Sequence, residues 1–101
     1  MAFPIAPFLG RIADLCREYR VQRLDLFGSA TGEDSDDGSD LDFMVEFLDR
    51  QPEGAADRYF GLRDGLQLTL QRPVDLVMRR AVRNPWFLRE AEREKLSVYA
   101  A

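Results

Sequence analysis

Histidine is absent from the chain, cysteine occurs once, at Cys16, and lysine once, at Lys95. Without histidine there is no Ser-His-Asp or Cys-His triad and no histidine-ligated zinc, which leaves carboxylates as the main catalytic option. A single cysteine excludes an internal disulfide, and its place on the apolar side of the first helix predicts a role in core packing. No apolar run exceeds a few residues, so no segment is long enough to span a bilayer. The start, Met1-Ala2-Phe3-Pro4-Ile5-Ala6-Pro7, has neither the basic residues nor the apolar stretch of a signal peptide, and a cytoplasmic protein is expected. A basic surface is also missing: the net charge is −4. Direct nucleic-acid binding is therefore not expected, because it requires cations to displace counterions.

What is present is ordinary for a globular protein, with 46% hydrophobic and 32% charged residues. The length suits one domain, 1–101, with no room for a second module. All the cations except Lys95 are arginines, whose planar fork suits carboxylates and phosphates, although a high-GC coding bias produces the same count.

Periodicity divides the chain into elements. Phe8, Leu9, Ile12, Leu15, Cys16 and Tyr19 recur at helical spacing and predict a first helix over Pro7–Tyr19, with Pro7 in its first turn and Arg11, Arg17 and Arg20 on other faces. Leu24–Phe27 reads as a strand, with Asp25 on the face opposite Leu24 and Leu26 and read as a strand-edge carboxylate suited to pairing with a nearby arginine. Ala55–Gln71 reads as a second helix with a buried stripe of Tyr59, Leu62, Leu66 and Leu70. Gly61 and Gly65 lie inside it, where each costs about 1 kcal/mol against alanine, so the pair predicts close approach to a neighbouring helix or sheet. Arg72-Pro73 ends this helix and Val74–Met78 is a strand. A strand, helix, strand unit places its two strands parallel. Asn84-Pro85 is a helix N-cap followed by a first-turn proline, predicting a last helix from Trp86 to about Tyr99 with Trp86, Phe87, Leu88, Ala91 and Leu96 available for packing.

The chemistry is concentrated in Leu24–Phe47, a strand ending at Gly28-Ser29, a polar loop over Ala30–Ser39, and a second strand carrying Asp40 and Asp42. Side chains two apart on a strand share a face, so Asp40 and Asp42 project together while Leu41, Phe43, Val45 and Phe47 project to the other side. An antiparallel return sets the Gly28-Ser29 turn beside the two carboxylates, and free backbone N–H groups next to oxygen ligands suit nucleotide phosphates and a divalent metal. Each feature alone is commonplace in turns and strand ends; their combination is not. Asp75 begins the third strand as Asp40 and Asp42 begin the second, so in a parallel arrangement all three acids gather at one end of the sheet. A calcium loop of the EF-hand type does not fit the acidic loop, because setting Gly38 at the sixth position puts Met44 at the twelfth.

With Gly28-Ser29, the spacing to Ser39-Asp40-Leu41-Asp42 and the run Phe43-Met44-Val45-Glu46-Phe47, the chain resembles the DNA polymerase beta nucleotidyltransferase superfamily. Within it, the similarity is to the minimal nucleotidyltransferases, or MNT proteins, often paired with HEPN toxins. It covers nearly the whole chain and extends to Pro73-Val74-Asp75-Leu76-Val77 and Arg83-Asn84-Pro85-Trp86-Phe87. The resemblance implies an α/β fold, a small mixed sheet of three or so strands backed by helices, as in the polymerase beta palm. It implies a magnesium-dependent transferase in which Asp40, Asp42 and Asp75 are catalytic and hold Mg2+, while Gly28 and Ser29 bind the phosphates of ATP. It further implies an antitoxin that transfers AMP from ATP to a tyrosine of a HEPN toxin and forms a hetero-oligomer with it; neutralisation by binding alone is the alternative. Many relatives carry an arginine shortly after the Gly-Ser pair, whereas Ala30-Thr31-Gly32-Glu33-Asp34 contains none.

Overall fold

The computed structural model describes residues 4–27, 40–49 and 51–101, with only the backbone of residues 87, 90, 91 and 94. A 3-10 turn at Ala6–Phe8 opens into helix α1 (Leu9–Glu18), followed by strand β1 (Val21–Phe27) and strand β2 (Leu41–Phe47). Helix α2 (Ala55–Leu70), strand β3 (Val74–Met78), a second 3-10 turn at Arg79–Ala81, helix α3 (Pro85–Glu94) and strand β4 (Leu96–Ala100) complete the order. The strands form one mixed sheet in the order β3-β2-β1-β4. β1 runs antiparallel to both of its neighbours, and β2 and β3 are parallel across the α2 connection, as the strand, helix, strand pattern requires.

One face of the sheet is closed by α1 and α2. Ile12, Leu15 and Cys16 from α1 and Leu62, Leu66 and Leu70 from α2 meet Leu24, Leu26, Leu41, Phe43, Val45, Leu76 and Val98 in a single buried cluster. The alternation expected for β2 holds on this side, where Leu41, Phe43, Val45 and Phe47 are all buried. The two glycines of α2 mark where the helices touch. A Cβ at Gly61 would stand 2.5 Å from the ring of Tyr19, and one at Gly65 would stand 2.7 Å from a methyl of Leu15. The close approach is therefore to α1 rather than to the sheet.

α2 also closes the outer edge of β3. Gln67 Oε1 accepts the Val74 N–H at 3.1 Å and the Tyr59 hydroxyl donates to the Leu76 carbonyl, so two backbone groups of the edge strand are occupied by side chains. An edge treated this way is a poor template for pairing with another chain.

Four expectations from the sequence are corrected. β1 begins at Val21, three residues earlier than the apolar run suggested, and a bulge between Val21 and Arg23 keeps Val21 buried. The last helix stops at Glu94, and the Leu96–Ala100 segment is a fourth strand paired antiparallel with β1. Ser97-Val98-Tyr99 has the β-branched and aromatic character that favours a pleated edge, and pairing with β1 supplies backbone partners that a longer solvent-facing helix could not improve upon. Trp86, expected to pack, is 70% exposed with Arg89 stacked at 5.8 Å from its ring, and Leu96 is 45% exposed. β1 is an inner strand, so Asp25 is not at an edge but buried, with Arg23 Nε at 3.1 Å. The Asn84 cap is as expected, its side chain accepting the Trp86 N–H at 3.0 Å.

Candidate active site

The start of β2 is fixed to the start of β3 by its first hydrogen bond. α2 ends at Leu70 and is capped by Gln71, whose left-handed backbone (φ 56°) turns the chain, and after Pro73 the strand begins. The Pro73 carbonyl accepts the Leu41 N–H at 2.9 Å. From there the parallel register runs Leu41 with Val74, Asp42 with Asp75, and Phe43 with Leu76. Because Leu41 and Phe43 face the core, Asp42 faces away from it, and its register partner Asp75 shares that face. Asp40 immediately precedes β2 and is exposed, as is Asp75, whereas Asp42 is half-buried. The three acids therefore lie at one end of the sheet, at the starts of its two parallel strands.

On the other side of β2, Asp42 is opposite Phe27, the last residue of β1. Gly28 and Ser29, expected to hold phosphates, lie outside the described residues, as does the acidic loop that follows them.

Asp42 registers this environment electrostatically. Burial beside Phe27 and between strands pushes its carboxyl above the ordinary carboxylate value, and the charges of Asp75 and Asp40 push it further in the same direction. No neighbouring cation among the described residues offsets them. Asp25, two residues before Phe27 on the same face, is different in kind: its partner Arg23 neutralises it, and an arginine two residues away on one strand face is a pairing legible in the sequence.

The rest of this face is covered from the C-terminal side. Met44 is buried, and Leu88, Glu92 and Lys95 approach Asp25, Phe27 and Arg79 across a small void. Lys95 Nζ lies 2.8 Å from Glu92 and, with Arg23 and Arg79 further off, holds the Glu92 carboxyl below its ordinary value. Arg79 also reaches Glu46 at 3.5 Å. Among the described residues, cationic partners thus neutralise Asp25, Glu46 and Glu92, but not Asp42.

Among the described residues, no group of three or more His, Cys, Asp or Glu side chains is drawn together tightly enough to hold a metal ion. Two carboxylates in register with a third beside them are hard oxygen donors, without an all-protein cage. Magnesium suits such a site, because it is commonly held by one or two carboxylates together with the phosphates of a substrate. The residues fit a metal whose remaining ligands come from a bound molecule.

Comparison with known proteins gives this arrangement a context. The sequence profile of the nucleotidyltransferase domain matches residues 11–99. A Methanocaldococcus jannaschii protein named "Putative protein adenylyltransferase MJ0128" is 32% identical over 84 residues, covering 83% of each chain. Among solved structures, one described as a "putative minimal nucleotidyltransferase" superposes with a TM-score of 0.77 at 24% identity, covering 95% of both chains. A chain of the complex between the tri-AMPylated Shewanella oneidensis HEPN toxin and its MNT antitoxin superposes with a TM-score of 0.65 at 20% identity, covering 95% of this chain and 72% of that one. At these identities the two structural matches speak for the fold.

Proposed function

The chain belongs to the nucleotidyltransferase domain family, and from that premise we propose that it transfers AMP from ATP to a tyrosine hydroxyl of a HEPN-class toxin, acting as its antitoxin. The observation that carries the proposal is the Asp42–Asp75 register pair, with Asp40 beside it and a raised Asp42 carboxyl that no cation among the described residues offsets. Burying an uncompensated carboxylate is costly, and its presence is accounted for when a ligand brings the missing positive charge. The AMPylated toxin in the Shewanella complex supports this choice of acceptor class, and the name of the M. jannaschii relative supports a protein substrate.

Asp40, Asp42 and Asp75 would hold magnesium, and Gly28 and Ser29 would contact phosphate oxygens. Magnesium, when bound, neutralises triphosphate charge and eases the departure of pyrophosphate. The chain's own residues then have two tasks. The carboxylates on β2 and β3, which would repel a bare phosphate, would hold the metal through which the triphosphate is bound at this end of the sheet. Asp75, exposed at the start of its strand, accepts the proton of the incoming hydroxyl. The hydroxyl oxygen bonds to the α-phosphorus, the bond from that phosphorus to the bridging oxygen breaks, and pyrophosphate leaves with the electron pair.

A second reading, neutralisation by contact alone, is favoured by the lack of a closed acidic cage among the described residues and by the missing arginine after Gly28-Ser29. Asp75→Asn separates the two. The substitution is nearly isosteric and keeps the surface, but removes the base and a negative ligand together. The expected outcome is an intact complex with the toxin, no AMP mass gain on the toxin by intact-protein mass spectrometry, and loss of cell protection. Full protection by the Asn variant would establish neutralisation by contact.

A further inference from the structure

At the opposite end of the same two parallel strands lies a cavity of about 450 Å³, lined among others by Phe47, Met78, Arg58, Arg80 and Arg83. Phe47 ends β2 and Met78 ends β3, so the cavity sits at the carboxyl ends of the pair whose amino ends carry Asp42 and Asp75. Five residues of strand separate Asp42 from Phe47, roughly 17 Å at the usual rise. The two places are distinct.

Three features of the cavity point to an anion. Arg80 and Arg83 make no ion pair or hydrogen bond among the described residues, although Asp49 lines the same space. Asp49 is already taken, by Arg58 Nη1 at 3.4 Å and by the Gln51 N–H at 2.9 Å. Arg58 is held rigidly, its Nη2 donating to the Gln51 carbonyl at 2.7 Å and its Nη1 to the Glu53 carbonyl at 3.0 Å, which leaves its buried Nε without a partner. Finally, Ala55 in the first turn of α2 lines the cavity, and no side chain caps that helix, since Gly54 occupies the cap with φ 74°. Residues 48–54 separate β2 from α2, and the Ala55 N–H is taken by the Pro52 carbonyl at 3.1 Å, so this helix start contributes its dipole, which favours an anion beside it.

The remaining walls, Phe47, Pro52, Ala81 and the Met78 side chain, are apolar, and the volume is that of a small-molecule site. We propose that this cavity is a second ligand site, taking a small organic oxyanion whose phosphate or carboxylate group is held by Arg80 and Arg83 and whose apolar body lies against Phe47 and Met78.

The test uses the intact chain in excess chelator, which keeps metal-dependent binding at the acidic end out of the measurement. Phenyl phosphate, benzoate, phenol and inorganic phosphate are titrated while backbone amide shifts are followed by NMR. The expected result is saturable binding of one or both aromatic anions, with shifts concentrated at residues 49–58 and 78–83. The neutral phenol and the bodiless phosphate should bind at least about tenfold more weakly, and the preferred head group identifies the oxyanion. Arg80→Gln and Arg83→Gln, both at exposed positions, should each weaken binding about tenfold, as loss of a charge-assisted hydrogen bond does. Failure of both aromatic anions to saturate, inorganic phosphate binding as tightly as phenyl phosphate, or affinities unchanged in both arginine variants would each overturn the proposal. None of these results depends on whether the acidic end transfers AMP.

Discussion

Asp42 bears a cost that its neighbours could avoid. Asp25 has Arg23 and Glu92 has Lys95, but the influences on Asp42 all raise its proton affinity. The folded chain therefore holds the Asp42 proton more tightly than the unfolded chain does. The resulting penalty is fully present above the raised value, shrinks as pH falls through it, and is gone below the ordinary value of 3.8. Asp42→Asn should thus raise the melting temperature at neutral pH, modestly because the group is only half-buried, and the gain should disappear in acid. Thermal scans of both proteins across pH check this; a gain that persists unchanged below pH 3.8 would point to some other cause. Cys16 gives a second prediction at this scale. Burial raises its thiol to about 12, so almost no thiolate exists at pH 8, and native protein should resist a thiol-specific reagent that labels it fully once unfolded.

The α1–α2 contact is set by two glycines, and their replacement weighs helix propensity against steric fit. Alanine returns about 1 kcal/mol of propensity, while overpacking a filled contact costs about 1–3 kcal/mol. Gly61→Ala should be destabilising on balance, because its Cβ meets a whole aromatic ring at 2.5 Å. Gly65→Ala should cost less, since the atom it meets at 2.7 Å ends a rotatable leucine side chain. Denaturant unfolding of both variants gives the order. At the β3 edge, Tyr59→Phe removes the hydroxyl from the Leu76 carbonyl and should cost about 1 kcal/mol in the same measurement. These elements were legible in advance because periodicity marks them directly: the α2 stripe and the β3 run read correctly to within a residue. α3 and β4 did not, since the charged run from Arg89 to Lys95 continues a helical pattern into residues that only pairing with β1 makes a strand.

For the whole molecule, net charge and site charge point the same way. A chain of charge −4 with three acids at one end of its sheet repels a bare triphosphate, so ATP binding should require a divalent metal. Calorimetry with ATP, with and without chelator, checks this; equal affinity in both would contradict the assigned acidic site.

Residue pattern alone determined the acidic end. Asp40 and Asp42 share a strand face by the two-residue repeat, and a strand, helix, strand unit brings Asp75 alongside because such units pair their strands in parallel. Backbone geometry enforces both rules locally, which is why they could be read without coordinates. Only the tertiary structure decided the far end. Arg58 belongs to α2, and Arg80 and Arg83 follow β3; nothing in their spacing assembles them with Phe47 and Met78 around one cavity. Tertiary structure likewise decided that Asp25 is buried on an inner strand, because β4 closes over β1 from the end of the chain. Contacts between residues far apart in sequence depend on which faces remain to be covered once the local elements have formed, and that is settled by packing.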